Sequence, residues 1–115
     1  KHPAYSPDKL ANSKPSWVLA ADPVIRVGGV WGVSSGASLS PYDDLPPHRN
    51  NGKKTGGNQL FADGSARWIK FETMYLFHSY RHPSGTREFF WYQDTAGFDD
   101  ALISALPNLS ATKFQ

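Results

Sequence analysis

The chain has no cysteine, which excludes disulfides, thiolate metal sites and cysteine nucleophiles and leaves the redox compartment open. It has no apolar run near the ~18 residues that a membrane span takes. The longest such runs, Trp17-Val-Leu-Ala-Ala21 and Phe89-Phe-Trp-Tyr92, are strand-sized. No basic run exceeds the pair Lys53-Lys54. With 12 Lys and Arg against 10 Asp and Glu, the formal net charge is only +2, which is too little for the multi-phosphate contacts of a nucleic-acid binder. Internal repeats and heptads are also absent. The chain opens on Lys1 rather than Met, and the expectation is that a segment ahead of it has been removed.

What is present suits one small domain over residues 1–115, since 115 residues support a single modest core. Aromatics are 14% of the chain, so that core leans on large rings, each removing roughly 150–250 Å² from water when buried. Ten Gly and nine Pro imply many turns and short elements. The expected class is α+β: a small antiparallel β-sheet domain with a central Asp-Gly hairpin, a long Gly/Ser/Pro-rich loop and short helices.

Along the chain, Ser6-Pro-Asp-Lys-Leu10 has the pattern of a short helical turn, with Ser6 capping. Trp17-Val-Leu-Ala-Ala-Asp22 reads as a strand buried on both faces, ended by Pro23 and continued by Val24-Ile-Arg-Val27. Residues 28–58 lack periodicity and predict a surface excursion of ~30 residues. Asp63-Gly64 between two apolar runs predicts a two-residue type I′ hairpin turn. That register pairs Ala62 with Ser65, Leu60 with Arg67 and Asn58 with Ile69. It places Leu60, Ala62, Ile69 and Phe71 on one face and Phe61, Ala66 and Trp68 on the other, so the hairpin should be central or covered on both sides. Residues 72–82 fit a strand or a short helix. Residues 87–92 predict an aromatic strand. Phe98-Asp-Asp-Ala-Leu-Ile-Ser-Ala-Leu106 predicts a helix capped by Asp99, stapled by Phe98 to Ile103 and stopped by Pro107.

No group of residues assembles a convincing enzyme active site. His78 and His82 would share a helical face and a metal only if their segment were helical, and no Glu-x-x-His accompanies them. Asp94, Asp99 and Asp100, with carbonyls near Gly97, have the oxygen chemistry of a calcium-type site; against this, Asp99 and Asp100 suit a helix cap. No serine lies in Gly-x-Ser-x-Gly, and neither Gly pair opens a phosphate-binding helix. Trp31 and Tyr42, in the long loop, are the rings that would stack on a sugar if this were an extracytoplasmic ligand-binding module. A small hydrolase with two carboxylates across a cleft is a third reading.

The stretch from His48 through Gly56-Gly57-Asn58 to Asp63-Gly64 and Ser-Ala-Arg-Trp-Ile69 resembles the His-x9-Asp-Gly motif of prepilin-processing-associated proteins. Ser6-Pro-Asp-Lys-Leu10 and Trp17-Val-Leu-Ala-Ala-Asp22 resemble the run that precedes it, so the likeness spans residues 6–71. One departure is plain: fourteen residues separate His48 from Asp63, about five more than the pattern, with the surplus in residues 49–55. A loop that much longer calls a brace from His48 to the hairpin into question. The resemblance implies a pilin-like C-terminal globular domain, similar to type II secretion pseudopilins and type IV pilins. Such a protein is extracytoplasmic, meets the membrane only through an N-terminal helix missing here, and has other pilin-like subunits as partners. It needs no catalytic residue and no cofactor. His48, Gly56, Gly57, Asn58, Asp63 and Gly64 would then be architectural: Asp63-Gly64 sets a turn, the Gly pair admits a tight strand entry, and Asn58 bonds a loop carbonyl. Asp63 would lie at the hairpin tip, ~20 Å from the end His48 enters, too far for an acid/base or metal pair.

Overall fold

A computed structural model describes residues 11, 13–31, 48–50, 53–83 and 85–114. They form a small α+β domain of three antiparallel sheets and one helix. The first sheet has the order β1-β5-β6, from β1 (Val18–Ala21), β5 (Gly56–Phe61) and β6 (Ala66–Lys70). The second has the order β2-β8-β7, from β2 (Val24–Val27), β8 (Arg87–Trp91) and β7 (Tyr75–Tyr80). β3 (Arg49–Asn50) and β4 (Lys53–Lys54) make a two-stranded ribbon. Helix α1 covers Asp100–Leu109, and 3₁₀ turns occupy Phe71–Thr73 and Ala111–Phe114.

The two larger sheets share one core. Val24 and Phe90 come from one, Phe61 and Ile69 from the other, and Phe71, Met74 and Ala111 close it. Alternation in β5 sends Gly57, Gln59 and Phe61 inward and leaves Asn58 and Leu60 outside. Burial of Gln59 is offset by hydrogen bonds: Nε2 donates to the Tyr92 carbonyl and Oε1 accepts from the Tyr92 N–H, both at 2.8 Å. Gln93 Oε1 accepts from Val18 N at 3.0 Å, a second tie between the first sheet and the chain leaving β8.

Several expectations are corrected. β5 and β6 pair with Leu60 opposite Ala66 and Asn58 opposite Trp68, one residue away from the expected register. The reason is a three-residue loop: Gly64 N bonds Phe61 O and Phe61 N bonds Ser65 O, with positive φ at Gly64. Asp63 Oδ1 fixes this loop by accepting from Ser65 N and Oγ. A one-residue shift turns one strand over relative to the other. Phe61, Ile69 and Phe71 therefore lie together inside, while Leu60 and Trp68 lie together outside. Of the hairpin's two strands, β5 is the middle strand of its sheet and β6 an edge, and β1 is an exposed edge rather than a strand buried twice. The excursion ends earlier than expected: Arg49–Asn50 and Lys53–Lys54 form the β3–β4 ribbon, and β5 begins at Gly56. Residues 32–47 and the Ser6 turn lie outside the described residues.

Residues 75–80 form a strand, which removes the helical face that His78 and His82 would share. Asp99 caps α1, accepting from Leu102 N at 2.7 Å. Phe98 packs with Leu102 and Leu106, and Ile103 is exposed. Pro107 does not end the helix. It removes one donor near the C-terminal end, and Leu106 and Leu109 on either side are held in the cluster with Tyr75 and Phe77.

Candidate functional site

Two polar residues of the His48-to-Asp63 stretch, His48 and Asn58, meet at a residue outside it. Asp22, in the link between β1 and β2, accepts three hydrogen bonds on Oδ2: from His48 Nε2 at 3.0 Å, Asn58 N at 2.8 Å and Asn58 Nδ2 at 3.1 Å. Its own N–H donates to Asn58 O at 2.9 Å, so the β1–β2 link and β5 are bound in both directions. The Gly pair is what lets them approach. A Cβ on Gly57 would meet Asp22 Cβ at 3.0 Å, tighter than side chains usually come.

His48 reaches Asp22 despite the longer loop, because Arg49–Asn50 and Lys53–Lys54 pair with each other. In the β3–β4 ribbon Arg49 faces Lys54, and Thr55 N and Oγ1 both donate to His48 O at 3.2 and 3.1 Å. His48 thus stands beside the entry to β5, and its ring meets Trp68 edge-on at 5.1 Å. The doubt cast on its brace is corrected to this extent: His48 bonds Asp22, with Arg49–Asn50 paired to Lys53–Lys54 beside it. Asn58 bonds Asp22 rather than a loop carbonyl. Asp63 and Gly64 lie at the far end of β5, so His48 and Asp63 are not brought together.

The Asn58 backbone N–H does most to hold the Asp22 carboxyl below its usual range; partial burial opposes it, and His48 and the Asn58 amide add to it. A folded-state value below the unfolded ~3.9 means that Asp22's stabilisation is complete above that pH and is lost as pH falls through the folded value. Asp22→Asn should therefore destabilise the domain at neutral pH by about 1–2 kcal/mol and flatten the loss of stability between about pH 5 and 2. Urea midpoints measured across that range check it; parallel acid limbs for the two proteins would remove Asp22 from the account.

An Asp–His pair can also orient a general base. Here Nε2 is spent on Asp22, leaving only Nδ1, the nitrogen nearer its own backbone, for any substrate. The remaining residues singled out in the sequence are held by local structure. Asp94 Oδ1 accepts from Ala96 N at 3.0 Å, and Asp99 caps α1 with Asp100 in its first turn. Among the described residues no three His, Asp or Glu side chains form a group placed to hold a metal, so Asp94, Asp99 and Asp100 are not brought together as one. Trp31 belongs to the core margin: its ring packs on Phe71 and Phe90, and Lys54 covers one face at 4.8 Å. Tyr42 lies outside the described residues.

Sequence reasoning missed Asp22 as the hub and Gln59 as a clamp. The signal for Asp22 was an acidic residue directly before Pro23, ending an apolar run. For Gln59 it was an amide at an inward position of a strand.

The first sheet has one further property. Its inner face packs Phe61 and Ile69 into the core, whereas the outer one carries Leu60 at 39% and Trp68 at 44% exposure, with exposed Ala20 and Ala66 beside Leu60. Leu19, at the β1 irregularity, is 54% exposed. No family model, no curated protein and no solved structure matches this chain.

Proposed function

We propose that this domain is a non-enzymatic structural subunit of a bacterial envelope secretion or pilus-type assembly, pseudopilin-like, exported and anchored through an apolar N-terminal helix. The observation that carries the reading is the outer face of the β1-β5-β6 sheet. The solvated face of an antiparallel sheet normally alternates to polar side chains. Here Leu60 and Trp68 stand on it, flanked by Ala20 and Ala66, with Leu19 at the rim. Apolar side chains grouped on the solvated face of a small domain suit an interface; Asn58 shares this face and the His48 ring borders Trp68. The Asp22–His48–Asn58 hub supports the same reading, because it fixes β5, the middle strand of that sheet, against the β1–β2 link and uses its polar groups internally. A glycan-binding module on Trp31 finds less support, since Lys54, Phe71 and Phe90 already surround that ring.

The test combines the coding sequence ahead of Lys1 with one substitution. An apolar stretch of about 20 residues behind a short basic leader is expected. Leu60→Glu, an exposed change, should shift the stability of the isolated domain by no more than ~0.5 kcal/mol. In the full-length chain it should abolish co-assembly with sister subunits. A plain signal peptide cleaved near Lys1, or assembly untouched by Leu60→Glu, would overturn the reading.

A further inference from the structure

At the end of the core away from the Asp63-Gly64 turn, four rings gather. Trp31 meets Phe71 edge-on at 5.4 Å and Phe90 at 5.2 Å, Phe114 meets Phe90 at 5.3 Å, and the Trp31 indole N–H donates to the Phe114 carbonyl. Two cations lie on these rings. The Lys54 ammonium is 4.8 Å from the Trp31 centroid and 5.4 Å from that of Phe71, and the Arg26 guanidinium is 5.5 Å from that of Phe114. Both cations sit on one ring cluster, Lys54 on Trp31 and Phe71 and Arg26 on Phe114, with Phe90 in contact with Trp31 and Phe114.

Among the described residues, a single carboxylate answers the two cations. Glu88 Oε1 accepts from Arg26 Nη1 at 2.9 Å. Within the same residues no carboxylate pairs with Lys54, and Arg26 Nε is buried without an acceptor. Burial, and after it Arg26, holds the Lys54 amine below the usual lysine range, as expected of an ammonium short of a counter-charge. Cation–π contact compensates in part, since the rings offer quadrupoles but no hydrogen-bond acceptor.

We propose that Lys54 and Arg26, over the Trp31–Phe71–Phe114 rings, form a receptor for a single carboxylate. One negative charge balances the site; a phosphate dianion would leave an excess of negative charge against aromatic rings. The rings hold the two cations in place, and the ammonium and guanidinium give the carboxylate charge-assisted hydrogen bonds. Its source is either a free small carboxylate or an acidic side chain of a docking protein, and the site stands independently of the pilin-like reading.

The test is a nuclear magnetic resonance titration of the lysine ammonium groups with three probes: acetate, a capped glutamyl peptide with apolar flanks, and inorganic phosphate. Lys53, its exposed neighbour, is the internal control. Expected are a saturable response at Lys54, little at Lys53, and a Lys54 amine that stays charged to higher pH when acetate is bound. Lys54→Met should lose the saturable response, and Lys54→Arg should keep it. Peptide binding at least about threefold tighter than acetate assigns the source to a protein side chain; equal binding assigns it to a free carboxylate. A response at Lys53 matching that at Lys54, no saturation with either carboxylate, or phosphate binding as well as acetate overturns the proposal.

Discussion

Gly56→Ala is expected to cost about 3 kcal/mol or more, enough to leave much of a domain this size unfolded at physiological temperature. Two effects act together. Gly56 holds φ at 149°, which side chains avoid, and a Cβ built there would overlap the Ile69 carbonyl oxygen and crowd the Trp68 ring. Neither neighbour can yield cheaply. Ile69 is buried and its strand is paired to β5 on both sides of the clash, at Gly57–Ile69 and Gly56–Lys70. Gly64 is the control. Its φ is 85°, but nothing lies within 4 Å of a Cβ there, so Gly64→Ala should cost only the ~1 kcal/mol of backbone strain. Urea unfolding of both variants separates crowding from strain. Equal losses would mean that the strand entry at Gly56 is looser than described.

The contrast between these two glycines also separates what a sequence discloses from what it withholds. A reversal at Asp63-Gly64 is readable because few residues tolerate positive φ, and the Asp99 cap because capping is local chemistry. The number of residues in the loop was not readable. It depends on Asp63 bonding Ser65 and on which faces of β5 and β6 find a partner sheet. That single residue decides whether Leu60 lies inside with Phe71 or outside with Trp68, and so decides where the open apolar side chains fall. Edge or centre is a question of long-range order, which is why the uncharged run at Val18–Ala21 reads as buried and proves exposed. The Asp22–His48–Asn58 hub joins residues 26 and 36 apart in sequence. Nothing in the spacing of His48 and Asp63 points to Asp22, because the geometry depends on the β3–β4 ribbon bringing the chain back to where it left.

Gln59→Leu is expected to destabilise the domain by about 2–5 kcal/mol, although leucine fits the volume and favours burial. The Gln59 amide stands in for a peptide unit. It lies between β5 and the chain leaving β8 and bonds both the N–H and the C=O of Tyr92 at 2.8 Å, with 2% of the residue exposed. Leucine removes both partners at once and strands a donor and an acceptor of the main chain where water does not replace them. At about 4–8 °C per kcal/mol for a domain near this size, the melting temperature should fall by roughly 8–40 °C. Gln59→Glu distinguishes the hydrogen bonds from packing. A carboxylate can accept from Tyr92 N but repels Tyr92 O, whereas the protonated acid can donate to it as the amide does. The introduced carboxyl should therefore titrate in the folded state above its unfolded value of about 4.3, so the variant's deficit should be smallest below that pH and grow as pH rises through it. Thermal melts of both variants against the parent protein from pH 4 to 7 read this directly. If Gln59→Leu melts with the parent protein, or the Gln59→Glu deficit is flat with pH, the Gln59–Tyr92 pair does not hold the two sheets together.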